Sequence, residues 1–183
     1  MTHREEPGSP PRILIAGIGN IFLGDDAFGS EVARRMMAHP LPDGVRVVDF
    51  GIRGLDLAYA LLDDRDVTIL IDAMPHDGPP GTLYVIEPDP VDAGEPSARE
   101  PVIEGHSMDP VRVLRMAAAM GGKPRRVLVV GCEPATLGSD DEPAMGLSPP
   151  VEAVVDEAIR LVQSLIERVL TEREGLTTPA NPG

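Results

Sequence analysis

Apolar positions fall into two rhythms along the chain. Short strand-like segments occur at Ile13–Ala16, Val45–Asp49 ("VRVVD"), Val67–Ile71 ("VTILI"), Thr82–Ile86 ("TLYVI") and Val127–Gly131 ("VLVVG"). Between most of them the spacing changes to that of a helix. Phe28, Val32, Met36 and Met37 mark a helix over Ala27–Ala38, Leu55–Leu62 forms a short one, and Met108–Met120 follows a proline-rich loop. The strongest helix covers Val151–Leu170, where Val151, Val154, Val155, Ala158, Val162, Leu165, Ile166 and Val169 share a face. Ser148 stands where it can cap this helix, and Pro149 and Pro150 suit its first turn.

Strands that alternate with helices predict a mostly parallel sheet covered on both faces. The uniformly apolar, β-branched run at 67–71 predicts a central strand. No helix separates it from 82–86, so an antiparallel hairpin excursion is expected there and the sheet reads as mixed. Residues 12–172 read as one domain, flanked by flexible polar tails at 1–11 and 173–183. The acidic, proline-rich stretch 87–105 reads as a long surface loop, and no internal repeat is seen.

Composition narrows the picture. Apolar residues are 42% of the chain but aromatics only 3%, so the core must be aliphatic. Thirty acidic against sixteen basic residues give a net charge of −14. That sign opposes nucleic acid and anionic membranes. It suits a cationic partner surface, a metal, or simple solubility. A single cysteine, Cys132, rules out a disulfide within the chain and points to the cytoplasm. No apolar run reaches the roughly 20 residues that span a bilayer, and the first ten residues lack the apolar segment of a signal peptide.

Ligands of open α/β sheets sit at the carboxyl ends of strands. That rule selects Asp25 and Asp26 after the first strand, Asp49 and "GIRG" after the second, Asp72 and His76 after the third, and Cys132 and Glu133 after the fifth. His106, ahead of helix 108–120, can reach the same edge. The opening "ILIAGIGNIFLGDDAFG" starts like a nucleotide fingerprint, but Phe22 occupies the place of its last glycine. Two carboxylates at the helix entrance would also repel a pyrophosphate. Capping of the following helix explains one aspartate and leaves the other over. A loop histidine and strand-end aspartates each have ordinary structural roles. Together, two aspartates and a histidine at one edge form a ligand set common for divalent transition metals. A hydrolase built on Cys132 and His106 is the competing residue-type reading.

The segments "ILIAGIGNIFLGDDAFG", "TILIDA", "GHSMDPVRVL" and "GCEPATLG…GLSPPVEAVVDEAI" resemble the hydrogenase maturation proteases, in consistent order over about residues 12–170. The resemblance implies a three-layer α/β/α sandwich, phosphorylase/hydrolase-like, with a twisted five-stranded sheet. It implies metal-contacting positions at Asp26, Asp72 and His106. It further implies a cytoplasmic aspartic-type endopeptidase that takes part in hydrogenase maturation and is classed among enzyme regulators. Its substrate would be the nickel-iron hydrogenase large-subunit precursor, cut near its C-terminus once nickel is loaded. No intrinsic cofactor is expected, because the nickel belongs to the precursor. Asp26 and Asp72 are then also the candidates for activating water. Some members carry Glu where Asp26 stands, and many carry a "DGGT"-like turn where this chain has "DFGIRG". Arg53 in that turn has two readings, a contact to substrate and an ordinary surface arginine. His76 is the substitute ligand should His106 lie elsewhere. The alternatives are a non-proteolytic nickel-binding maturation or checkpoint protein, and a nucleotide-binding module.

Overall fold

The computed structural model describes residues 10–88, 110–138 and 143–177. Five strands form one sheet: β1 (Ile13–Ile18), β2 (Val45–Gly51), β3 (Val67–Ala73), β4 (Leu83–Ile86) and β5 (Val127–Cys132). Their order is β2-β1-β3-β5-β4, so β3 is central as its composition predicts. The first three strands and β5 run parallel. β4 is antiparallel, but its partner is β5 and not β3. The expected hairpin between β3 and β4 is therefore absent. The chain leaves β3, passes the position of β5, and adds β4 at the edge.

The helices are α1 (Phe28–Met37), α2 (Gly54–Ala60), α3 (Pro110–Ala119), α4 (Pro149–Glu152) and α5 (Val155–Thr177). Alternation along β1 explains the layers. Ile13 and Ile15 join one core with α1, α4 and α5, while Leu14, Ala16 and Ile18 join another with α2 and α3. Both faces of β1 and β3 are covered, and every residue of the two strands is buried. Strands of this kind lose polar alternation and appear as unbroken apolar runs. Each buried Val, Leu or Ile contributes about 1.5–3 kcal/mol.

The predicted helix at 151–170 is two pieces, interrupted at 153–154, and α5 continues to Thr177 into the segment read as a tail. Val151, Val155, Ala158, Val162, Leu165, Ile166 and Val169 are buried as the spacing requires, and Val154 is half-buried. Ser148 stands at the N-cap of α4, yet its hydroxyl does not cap the helix. Among the described residues no helix is long and apolar enough to cross a membrane. The loop read at 87–105 falls mostly outside the described residues.

Candidate functional site

Asp25 and Asp26 sit in a 3₁₀ turn, Asp25–Ala27, between β1 and α1. Two glycines bring this turn onto the sheet. A Cβ on Gly19, which has φ of 139°, would collide with the carbonyl of Asp26. A Cβ on Gly29 would collide with the carbonyls of Ile18 and Ile71. The start of α1 therefore lies directly on the carboxyl ends of β1 and β3, and the turn packs against β3.

The two aspartates have separate fates. Neither caps its own helix. Asp25 is completely buried and accepts four hydrogen bonds from loops distant in sequence: Ala135 N–H (2.8 Å), Thr136 N–H (3.1 Å), Ser148 N–H (2.6 Å) and Ser148 Oγ–H (2.8 Å). This is why the Ser148 hydroxyl is unavailable to α4. Two isolated bridges brace the same junction, Leu23 with Ala144 and Gly24 with Leu137. Asp25 is a structural clasp.

Asp26 is 7% exposed, and one carboxylate oxygen accepts the Asn20 N–H at 2.7 Å. Burial pushes its carboxyl above the usual range, and the Asn20 amide offsets that only in part. A nearby cation would reverse the penalty. Asp72, 5% exposed, is the penultimate residue of β3 and pairs in register with Gly131 of β5. Strand alternation puts it on the side of Leu70. Asp26 and Asp72 thus lie at one sheet edge, on a turn and a strand that touch. His106 lies outside the described residues. Among the described residues, no three His, Cys, Asp or Glu side chains form a metal-binding group.

The remaining candidates take structural parts. Cys132 is fully buried and its thiol is pushed up to about 12, by burial first and then by the charges of Asp25 and Glu133. A thiol so strongly protonated supplies no thiolate at neutral pH. Arg53 folds over its own turn and donates to the carbonyls of Phe50 (3.1 Å) and Asp49 (2.5 Å). Asp49 accepts from the Ser30 hydroxyl (2.8 Å) and the Gly51 N–H (3.0 Å), holding β2 to α1.

His76 is exposed on the loop after β3, its ring edge-on to Tyr84 at 4.9 Å between centroids. The organiser of that loop is Glu133, to which the sequence assigns no role. Its Oε2 accepts from His76 N–H (2.7 Å), Gly78 N–H (3.2 Å) and Tyr84 O–H (3.1 Å). Burial opposes its ionisation, but these donors prevail and hold its carboxyl below the usual range. Its position after an apolar strand is the only sequence signal for it.

A family model described as HycI, hydrogenase maturation protease, matches residues 30–165. The hydrogenase expression/formation protein HupD of Rhizobium leguminosarum bv. viciae is 32% identical, over 94% of this chain and 85% of its own. The hydrogenase 2 maturation protease of Escherichia coli is also 32% identical, over 82% of this chain and 88% of its own. The solved structure of the hydrogenase maturating endopeptidase HybD from E. coli superposes with a TM-score of 0.70 at 30% identity, covering 86% of this chain and 93% of that one.

Proposed function

The chain belongs to the hydrogenase maturation protease family and is a peptidase; from that premise we propose that it removes the C-terminal extension of a nickel-iron hydrogenase large-subunit precursor, and does so only after nickel is loaded. The observation that carries this reading is the pair of buried carboxylates, Asp26 and Asp72, at one sheet edge. Burying a carboxylate is costly unless something compensates its charge. A divalent ion brought by the substrate compensates the buried charge of Asp26 beyond what the Asn20 amide does. The protease needs no ion of its own, and His106 completes the ligand set from the segment before α3.

In this reading Asp26 and Asp72 recognise the metal, and Asp26 is also a candidate base. Its carboxyl titrates above an ordinary aspartate because of burial, which moves it towards the range where a carboxylate takes a proton efficiently. Arrival of the ion favours the ionised form, which strengthens recognition and lowers that proton affinity. Asp25, satisfied by four donors, has no part in the chemistry.

The test uses purified chain with nickel-loaded and nickel-free large-subunit precursor, read by intact-mass spectrometry. The loaded precursor should lose a short C-terminal peptide and the nickel-free one should stay whole. Cys132→Ser should still cleave. Cleavage indifferent to nickel would sink the metal-gated mechanism. A stable but uncut complex would instead identify a checkpoint protein that holds nickel-loaded precursor without cutting it.

A further inference from the structure

The chain has three phenylalanines. Phe28 and Phe50 are buried, whereas Phe22 is 54% exposed, four residues before Asp26. Leu137 (43%) and Met145 (78%) are exposed as well. The backbone brings these three side chains to one junction. The Ala144 N–H, next to Met145, donates to the Phe22 carbonyl at 3.0 Å. The Gly138 N–H, next to Leu137, donates to the Leu23 carbonyl at 3.1 Å, and the Gly24 N–H donates to Ala144 at 2.6 Å. Asp25 fastens the same loops from below. Single exposed apolar residues are ordinary. Here three are exposed beside one braced stretch of backbone.

The segments that carry and neighbour them lack basic residues. Residues 19–27, 74–82, 133–138 and 143–148 contain no Lys or Arg, while Asp26, Asp72 and Glu133 lie at this edge. We propose that Phe22, Leu137 and Met145 form a docking surface for an extended segment of the polypeptide substrate whose apolar side chains are flanked by Lys or Arg. This rests on the peptidase reading above and adds the chemistry of the segment recognised. An aromatic anchor on an already ordered scaffold binds at low entropic cost, and the flexible Met145 adapts to the groups beside it. The acidic edge steers the basic flanks and sets their register. A second copy of this chain is a poor occupant, since each copy carries −14 and would bring the same acidic edge.

The probes are two labelled synthetic peptides with the same apolar core, one flanked by Lys and Arg and the other by Glu. Binding to the full chain is followed by fluorescence anisotropy. The basic peptide should bind at least tenfold more tightly, and more weakly as salt rises. Phe22→Ser and Met145→Ser should each weaken it about tenfold, while Met37→Ser, at the far end of α1, should not. In a second arm, Phe22→Ser should raise KM for nickel-loaded precursor. A parent chain that binds the basic peptide through Phe22 but cleaves no precursor would keep the docking surface and remove the proteolytic reading. Equal binding of both peptides, or indifference to both substitutions, overturns the proposal. So does a shift of Phe22→Ser from dimer to monomer in sedimentation, or a marked fall in its Tm, because another copy or the chain itself would then be the occupant.

Discussion

The two ends of the sheet treat charge in opposite ways. At the amino end, Asp64, Glu87 and Glu172 are exposed, Asp66 is half-buried, and all four meet an arginine. Arg12 pairs with Asp64 at 2.9 Å, Arg125 with Asp64 and Asp66 at 3.2 and 3.5 Å, and Arg126 with Glu87 and Glu172 at 2.8 and 3.0 Å. At the carboxyl end, Asp25, Asp26, Asp72 and Glu133 are buried. The partners of Asp25, Asp26 and Glu133 are amide and hydroxyl donors. Exposed pairs contribute little to stability and are screened by salt. Buried carboxylates held by neutral donors keep their charge uncompensated. One end is a solvated surface, and the other holds its charge buried among amide and hydroxyl donors.

Substitutions at the two ends should separate these roles, and the largest effect is on activity. Asp26→Asn and Asp72→Asn should each slow processing of nickel-loaded precursor by about 100-fold or more, as followed by mass spectrometry. Full activity in both would erase the functional distinction between the ends. Next comes Asp25→Ala, which leaves four donors without their charged acceptor. A loss of about 3 kcal/mol or more is expected, visible in urea unfolding.

A smaller effect separates neighbours within the carboxyl end. Asp26 has a folded pKa above its ordinary value of 3.8. The folded state therefore holds its proton more tightly than the unfolded state. Parent stability falls as pH rises from 3.8 through that raised value, and at neutral pH the ionised Asp26 is a burden. Asp26→Asn should accordingly melt slightly higher than the parent at pH 7, with the difference vanishing below about pH 3.8. A variant that melts lower at neutral pH would make Asp26 a structural residue like Asp25. Smallest of all, Arg125→Ala should cost no more than about 1 kcal/mol, less in high salt. A larger loss would show that the amino-end network is stiffer than its exposure implies.

Much of the fold was legible because the strands are buried on both faces. Each predicted strand appears within two residues of its predicted ends, and β3 is central. The partner of β4 was not legible. A short strand without a preceding helix carries no mark of which neighbour it joins. The end of the last helix carries no mark because "EREGLT" is polar, and a polar stretch leaves no apolar rhythm. At the site, the strand-end rule selects Asp26 and Asp72 along with several neighbours, the family resemblance narrows the set to these two and His106, and the structure puts Asp26 and Asp72 at one edge. The division of labour between Asp25 and Asp26 was hidden. The donors to Asp25 lie 110 to 123 residues away along the chain, beyond the reach of any local capping rule. Ser148 was misread for the same reason. Glu133 went without a role because its meaning lies in three donors brought by β4 and the loop after β3.

Gly29 has a consequence for what the site can measure. Its missing methyl group lets α1 rest on the carbonyls of Ile18 and Ile71, so the seat of Asp26 is referred to the strand that carries Asp72. The helix and the strand act as the two jaws of a caliper, and the absent Cβ sets how far they close. Gly29→Ala would have to lift the helix start by on the order of 1 Å to restore ordinary contact distances. That displacement is about three times the ~0.3 Å by which ligand distances differ between small transition ions and larger ones such as calcium. A side chain that is not there would in this way decide which ions the two carboxylates can grip together.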